Sequence, residues 1–206
     1  MKAKRVMIID ALNAYLRAYI VNPSLSLGGV PIGGIKGFFK ILQKRVREIK
    51  PDEILIIWDG PNGSSKRKAI DKNNRAYANL TAEECSENKK WQQMRTMEYF
   101  NQMPIIQTYV PNIEADDVIA YVTSMSYYEG WQKIIVSNDK DFMQLCDNET
   151  VLMRPVKKEV MTRKTIVGGF NKTEILKMMI EDGFGELKWE DLKVGLNRVE
   201  RSLSEK

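Results

Sequence analysis

The sequence predicts an α/β fold with a parallel sheet, and two observations predict it. Three short, continuous apolar blocks, RVMIID (5–10), EILIIWD (53–59) and KIIVSND (133–139), lack the alternation of a half-solvated sheet and read as strands buried on both faces. Segments with helical spacing lie between them, and strands alternating with helices make βαβ units. In chain order, the strand over 5–10 is followed by helical patterns over 13–20 and 34–49, the second closed by Pro51 before the strand over 53–59. A helix over 88–101 ends before Pro104, and IIQTYV (105–110) gives a shorter, more mixed strand. A helix over 114–128 leads to the strand over 133–139, after which VLMRP and KKEVMTRK form an edge hairpin turning near 155–158.

A chain of 206 residues can bury a sizeable core in one domain, with room for a small appendage. The net charge of +5 comes from 32 basic and 27 acidic residues, and the two signs are segregated along the chain. There is no histidine. That excludes His general bases, Ser-His and Cys-His nucleophile pairs, and the commonest zinc ligand. Cys85 and Cys146 are far apart with no CxxC spacing, so they are expected to be reduced, inert thiols, a cytosolic pattern. No stretch approaches the ~18 apolar residues of a membrane span, and a soluble, cytoplasmic protein is expected.

All three clear strands end on an aspartate: Asp10, Asp59 and Asp139. In an open parallel sheet, groups just past the carboxyl ends of strands share the edge where such folds place a ligand crevice. The segment IEADDVIAYV adds Glu114 and Asp117 on one face of a helix start, with Asp116 beside them, and Asp141 follows Asp139 by two. Seven carboxylates in a half-buried crevice would repel by several kcal/mol, against about 1 kcal/mol returned by a helix dipole. A cation is therefore expected. The donors are all hard oxygens, which suit Mg²⁺, with Mn²⁺ able to substitute, better than zinc or copper. Two such ions would generate a hydroxide and clamp a scissile phosphate, the two-metal route to phosphodiester hydrolysis. Any one aspartate after a strand is more often a turn former or helix cap; the coincidence of strand ends, acidic helix start and DxD favours metal.

Opposite charge gathers just after the second strand, where KRKAIDKNNRAYANL carries Lys66, Arg67, Lys68, Lys72 and Arg75. Lys72 and Arg75 are three apart and would point the same way from a helix toward a phosphate backbone. Arg17, a turn or two after Asp10, is a further candidate phosphate contact. Tyr15, Tyr77 and Trp91 could stack on unpaired bases, although packing is the commoner use of such residues.

The order and spacing of IIDALNAYLRAY, GVPIGGIKGFFKIL, LIIWDG, KNNR, IEADDVIA and VSNDKDFMQL resemble the 5′ nuclease (flap endonuclease, 5′-3′ exonuclease) family, most closely its phage RNase H-type members. The resemblance covers residues 5 to about 165. It implies a PIN-like (resolvase-like) sheet with helices on both faces and a helical arch at about 62–90. The catalytic domain would occupy 1–165, and 166–206 would be a short, divergent helical segment. By matching motifs, Asp10, Asp59, Glu114, Asp116, Asp117, Asp139 and Asp141 correspond to metal-binding acids. Lys72 and Arg75 correspond to the arch residues that hold and activate the scissile phosphate, and Arg17 to the arginine after the first acid.

The implied activity is Mg²⁺-dependent hydrolysis from a 5′ end of DNA or an RNA-DNA hybrid, at flap, nicked or primer-template junctions during replication. The implied partners are that nucleic acid and a replication protein such as a single-strand binding protein. The sequence departs from the family in three ways. Asp71 stands where the arch motif has tyrosine, the segment between Gly60 and Lys72 is short, and the helix-hairpin-helix region opening in a GDxxDN-like motif is not evident in MMIEDGFGELKWEDL. A PIN-type ribonuclease and a nucleic-acid-binding accessory protein that has lost turnover are the competing readings.

Overall fold

The structure is a computed structural model, and it describes residues 3–61 and 75–163. The chain divides into two compact units, Met1–Arg163 and Lys164–Lys206. The C-terminal segment expected over 166–206, and the part of the expected arch over 62–74 with Lys66, Arg67, Lys68 and Lys72, lie outside the described residues.

One six-stranded sheet organises the first unit. Its strands are β1 (Arg5–Asp10), β2 (Glu53–Ile57), β3 (Ile106–Thr108), β4 (Gln132–Val136), β5 (Thr150–Arg154) and β6 (Glu159–Met161), in the spatial order β3-β2-β1-β4-β5-β6. All neighbours are parallel except β5 and β6, the expected edge hairpin. β1 is central because it is apolar on both faces: Val6 to Ile9 are fully buried. Met7 and Ile9 face one core, with α1 (Ala11–Val21), α2 (Gly33–Ile49) and α3 (Ala82–Phe100). Val6 and Ile8 face the other, with α4 (Ala115–Ser124). The strand order reverses between β1 and β4, so the crevice that doubly wound sheets open at such a reversal falls beside Asp10.

Several boundaries differ from those read in the sequence, each for a local reason. The third helix begins at Ala82 rather than near residue 88, because Thr81 and Glu84 form a reciprocal capping box. Residues 82–90, expected in the arch, are therefore the first turns of a packed helix. The fourth helix stops at Ser124; Met125 is extended, and Ser126–Tyr128 form a separate 3₁₀ turn. The strand over 105–110 is paired only at Ile106–Thr108. β2 ends at Ile57 and β4 at Val136, so Asp59 and Asp139 stand just beyond their ladders, while Asp10 remains the last residue of its strand.

The glycines of GVPIGGIKG (29–37) explain how tightly α1 and α2 pack. A Cβ at Gly33 would meet the Asn22 carbonyl oxygen at 1.9 Å, and one at Gly37 would meet the Ala18 Cβ at 2.8 Å. α2 has no side-chain cap of its own. Instead Gln92, fully buried on α3, accepts from the backbone N–H groups of Gly34 (2.8 Å) and Ile35 (3.2 Å). Its amide nitrogen donates to the Pro31 carbonyl and to Asn88 Oδ1, both at 2.7 Å. One amide thus ties three segments together with its hydrogen-bonding groups used.

Candidate active site

Asp10 is fully buried, and its two oxygens have different tasks. Oδ1 accepts from the Asn13 backbone N–H at 3.2 Å, capping α1; Oδ2 accepts from the Ser137 hydroxyl at 2.9 Å. Ser137, only 2% exposed at the end of β4, also accepts from the Asp139 N–H at 3.1 Å. Asp139 Oδ1 in turn accepts from the Asp141 N–H at 3.1 Å. A continuous chain of hydrogen bonds therefore joins the ends of β1 and β4 across the strand-order reversal. Neighbouring groups hold it in place. Asn13 Oδ1 accepts from the Asn138 side chain at 3.3 Å, and Asn138 Oδ1 accepts from the Val156 N–H of the edge hairpin at 3.0 Å. Buried Arg154 donates to the Asn138 carbonyl at 3.3 Å.

The second group of acids is organised from β2. Past the ladder, Trp58 donates to the Thr108 carbonyl, Gly60 to Ile113, and Asn112 back to Pro61, so the 58–61 segment runs alongside the loop that enters α4. Gly60 permits this approach, since a Cβ there would lie 1.9 Å from the Val110 carbonyl oxygen. Asp59 is thereby delivered to the helix start, where its Oδ1 accepts from the Ala115 N–H at 3.2 Å. Its other oxygen, Oδ2, is buried without a hydrogen-bond partner in the described protein. Glu114 is the N-cap residue of α4, with Asp116 and Asp117 in its first turn. Asp59, Asp116 and Asp139 are half-buried; Glu114, Asp117 and Asp141 are exposed.

The structure thus brings Asp10, Asp139 and Asp141 into one hydrogen-bonded series, and Asp59 against the helix start that carries Glu114, Asp116 and Asp117. It does not gather all seven. Among the described residues, no three His, Cys, Asp or Glu side chains stand close enough to hold a metal ion. Asp10 and Asp59 each spend one oxygen on a helix N-terminus, and Asp139 spends one on its own loop. The donor chemistry still fits a hard divalent cation. A buried carboxylate oxygen lacking any donor is costly unless a cation or water faces it.

Ser137, Asn13 and Asn138 were not singled out in the sequence, although the serine between a buried strand and DxD was the available signal. Arg17 is exposed on α1, in the wall of a cavity of about 400 Å³ that also includes Asn13, Ser137 and Asn138. Arg75 is exposed and opens the 3₁₀ turn Arg75–Tyr77. Tyr77 and Tyr15 are core residues: Tyr77 stacks on Tyr19 at 4.4 Å between ring centroids and donates to the Tyr19 carbonyl at 2.7 Å. Trp91 is 43% exposed. Cys85 is buried and Cys146 half-buried, and both are free thiols. Burial raises the Cys146 thiol above its ordinary value, which keeps it protonated and unreactive.

Residues 5–171 match the family model of the 5′-3′ exonuclease N-terminal resolvase-like domain. The chain belongs to the 5′-3′ exonuclease family. Its resolvase-like domain is 28% identical over 170 residues to a 5′-3′ exonuclease of Aquifex aeolicus, covering 81% of this chain and 56% of that protein. It is 27% identical over 150 residues to DNA polymerase I of Bacillus subtilis, covering 72% of this chain and 16% of the polymerase. The chain therefore spans little more than half of the one relative and a small part of the other. In fold, this exonuclease-family domain is similar to the T5 D15 protein crystallised with metal ions, at a TM-score of 0.60 and 14% identity, covering 85% of this chain and 64% of that one. A T5 D15 flap endonuclease complex with DNA and metal ions matches at 0.59 with the same identity and coverage. The mostly parallel sheet with helices on both faces is the fold expected from the sequence. Among the described residues, no helix is long and apolar enough to cross a membrane.

Proposed function

We propose that this chain hydrolyses phosphodiester bonds at 5′ ends of DNA or RNA-DNA junctions, as a divalent-metal-dependent 5′-3′ exonuclease or flap endonuclease acting in primer or flap removal. The observation that carries the reading is the strand-end arrangement: buried Asp10 tied through Ser137 to Asp139, with the uncompensated Asp59 Oδ2 beside the acidic start of α4. Family membership and the metal- and DNA-bound T5 structures support it.

Asp10, Asp139 and Asp141 are the carboxylates assigned to one cation, and Asp59 with Glu114, Asp116 and Asp117 those assigned to a second; binding would have to draw each set closer than it stands here, where, among the described residues, no three are within reach of one ion. Mg²⁺ is the expected species, since it usually keeps several waters and needs only one or two carboxylates plus substrate phosphate oxygens. When bound, such ions polarise the scissile phosphate and lower the pKa of the attacking water. The chain's own residues do the rest. Ser137 and the Asn13 N–H fix the Asp10 carboxylate so that it need not reorganise during reaction. Lys72 and Arg75 neutralise charge on the scissile phosphate, and Arg17, Lys66, Arg67 and Lys68 hold neighbouring phosphates. A single-strand binding protein is the candidate replication partner, and the cytoplasm, of a host cell if the gene is phage-borne, is the expected location.

The test uses 5′-labelled flap, nicked duplex and single-stranded RNA, each with Mg²⁺ or with EDTA. Short 5′ products from DNA that require the metal are expected. Asp139→Asn should abolish cutting while sparing DNA binding, and Lys72→Ala should slow it by about 10²-fold or more. Cutting of RNA alone would favour a ribonuclease, and DNA binding without turnover an accessory protein. Undiminished cutting by Asp139→Asn would refute the site.

A further inference from the structure

We propose that the groove between α2 and the amino ends of β2 and β3 is a docking site for an acidic peptide segment that carries an apolar anchor residue. The groove encloses about 580 Å³. Phe39, Val46, Ile54, Pro104 and Ile105 form its floor, and Lys36, Lys40 and Arg47 its rim, with no acidic residue in the lining. The three cations are exposed, and none forms an ion pair among the described residues. At 3.6 residues per turn their positions fall within about 40° on one helix face, and they span about 16 Å along its axis. An extended peptide covers that length in about five residues. The apolar surface continues outward onto Tyr99 (46% exposed) and Met103 (40%), where the Tyr99 ring meets Phe39 edge-on at 5.9 Å. A contiguous apolar surface flanked along one side by like charges marks an interaction site, and its charge selects the sign of the partner.

A nucleic-acid strand fits this groove less well. Its floor is largely aliphatic, and Gln43 is the one neutral polar side chain in its lining. The position is also wrong for the reaction, because Ile54 lies at the amino end of β2 whereas Asp59 stands beyond its carboxyl end. A peptide could therefore occupy the groove while substrate occupies the strand-end crevice, and this inference does not rest on the proposed nuclease chemistry.

The probe is a panel of fluorescein-labelled peptides, each with five aspartates followed by Ala, Leu, Phe or Trp, titrated by fluorescence anisotropy. Affinity should rise about tenfold or more from the Ala to the Phe peptide. Lys36→Glu with Arg47→Glu should weaken the Phe peptide by about tenfold or more, and Val46→Asp should do the same, with cleavage of a labelled flap unchanged. The paired charge reversal is at the surface, so a melting temperature close to wild type keeps the test valid if Val46→Asp fails to fold. No binding by any peptide at about 1 mM would overturn the proposal. So would equal affinity for the Ala and Phe peptides, or displacement of the Phe peptide by a short DNA strand with loss of cleavage in the charge-reversed variant. Self-association abolished by Val46→Asp, with no peptide bound, would assign the groove to a second copy instead.

Discussion

Replacing Ser137 by alanine removes one oxygen atom from the junction of β1 and β4, and the cost can be worked from its two contacts. The hydroxyl donates to a carboxylate oxygen at 2.9 Å, and the serine and Asp10 are 2% and 0% exposed, so bulk water cannot take over the bond. A hydrogen bond to a charged group is worth about 1.5–3 kcal/mol, and the buried Asp10 oxygen loses a donor. The Asp139 N–H loses its acceptor too, but it is half-buried and solvent can replace part of that bond. A loss of about 2–3 kcal/mol follows, which for a unit of this size lowers the melting temperature by about 4–12 °C. Urea unfolding of wild type, Ser137→Ala, Asp10→Asn and the double variant gives the coupling between the two side chains directly. A coupling of about 1 kcal/mol or more is expected. A melting shift below about 2 °C, or a coupling near zero, would refute the idea that this hydroxyl ties the strand ends together.

Gln92→Ala should be more damaging than loss of an ordinary helix cap, because it strips the donors at the start of α2 of their acceptor and leaves a void in the core. A loss above about 3 kcal/mol in chemical denaturation is expected, against about 1 kcal/mol for Thr81→Ala at the α3 cap. The tyrosine cluster predicts alkaline instability. Burial pushes the Tyr19 phenol up to about 12, and burial with neighbouring phenols raises Tyr15 and Tyr77 further. Below pH 10 both folded and unfolded chains keep these protons and stability is intact. Above it the unfolded chain alone releases them, removing up to about 1.4 kcal/mol per phenol per pH unit until the folded values are reached. The urea midpoint should fall steeply from pH 10 to 11, and less so in Tyr77→Phe; a flat midpoint would count against the buried cluster.

The architecture was readable because each core strand is an unbroken apolar block, a pattern that needs both faces covered. Strand ends were readable to within two or three residues, since Asp10, Asp59 and Asp139 follow those blocks closely. What the sequence hid was the work of neutral polar residues. Ser137, Asn13 and Gln92 look like surface residues in one dimension, and their roles appear only when segments distant in the chain are brought together. The beginning of α3 was within reach, because TAEE is a capping-box pattern; the basic, polar composition of the preceding stretch obscured it. The carboxylates stand at or just past strand ends and at a helix start. Their competing service as helix caps depends on side-chain rotamers and loop paths, which residue spacing does not encode.

The anchoring of Tyr77 bears on Arg75, two residues before it. That ring is clamped between Tyr19 and the body of the domain, so the backbone leaving Arg75 enters the core at a fixed point. The reach of its guanidinium is then set by its own side chain from that fixed point. A phosphate captured by Arg75 would be registered against the rigid sheet, like a workpiece held at a fixed stop.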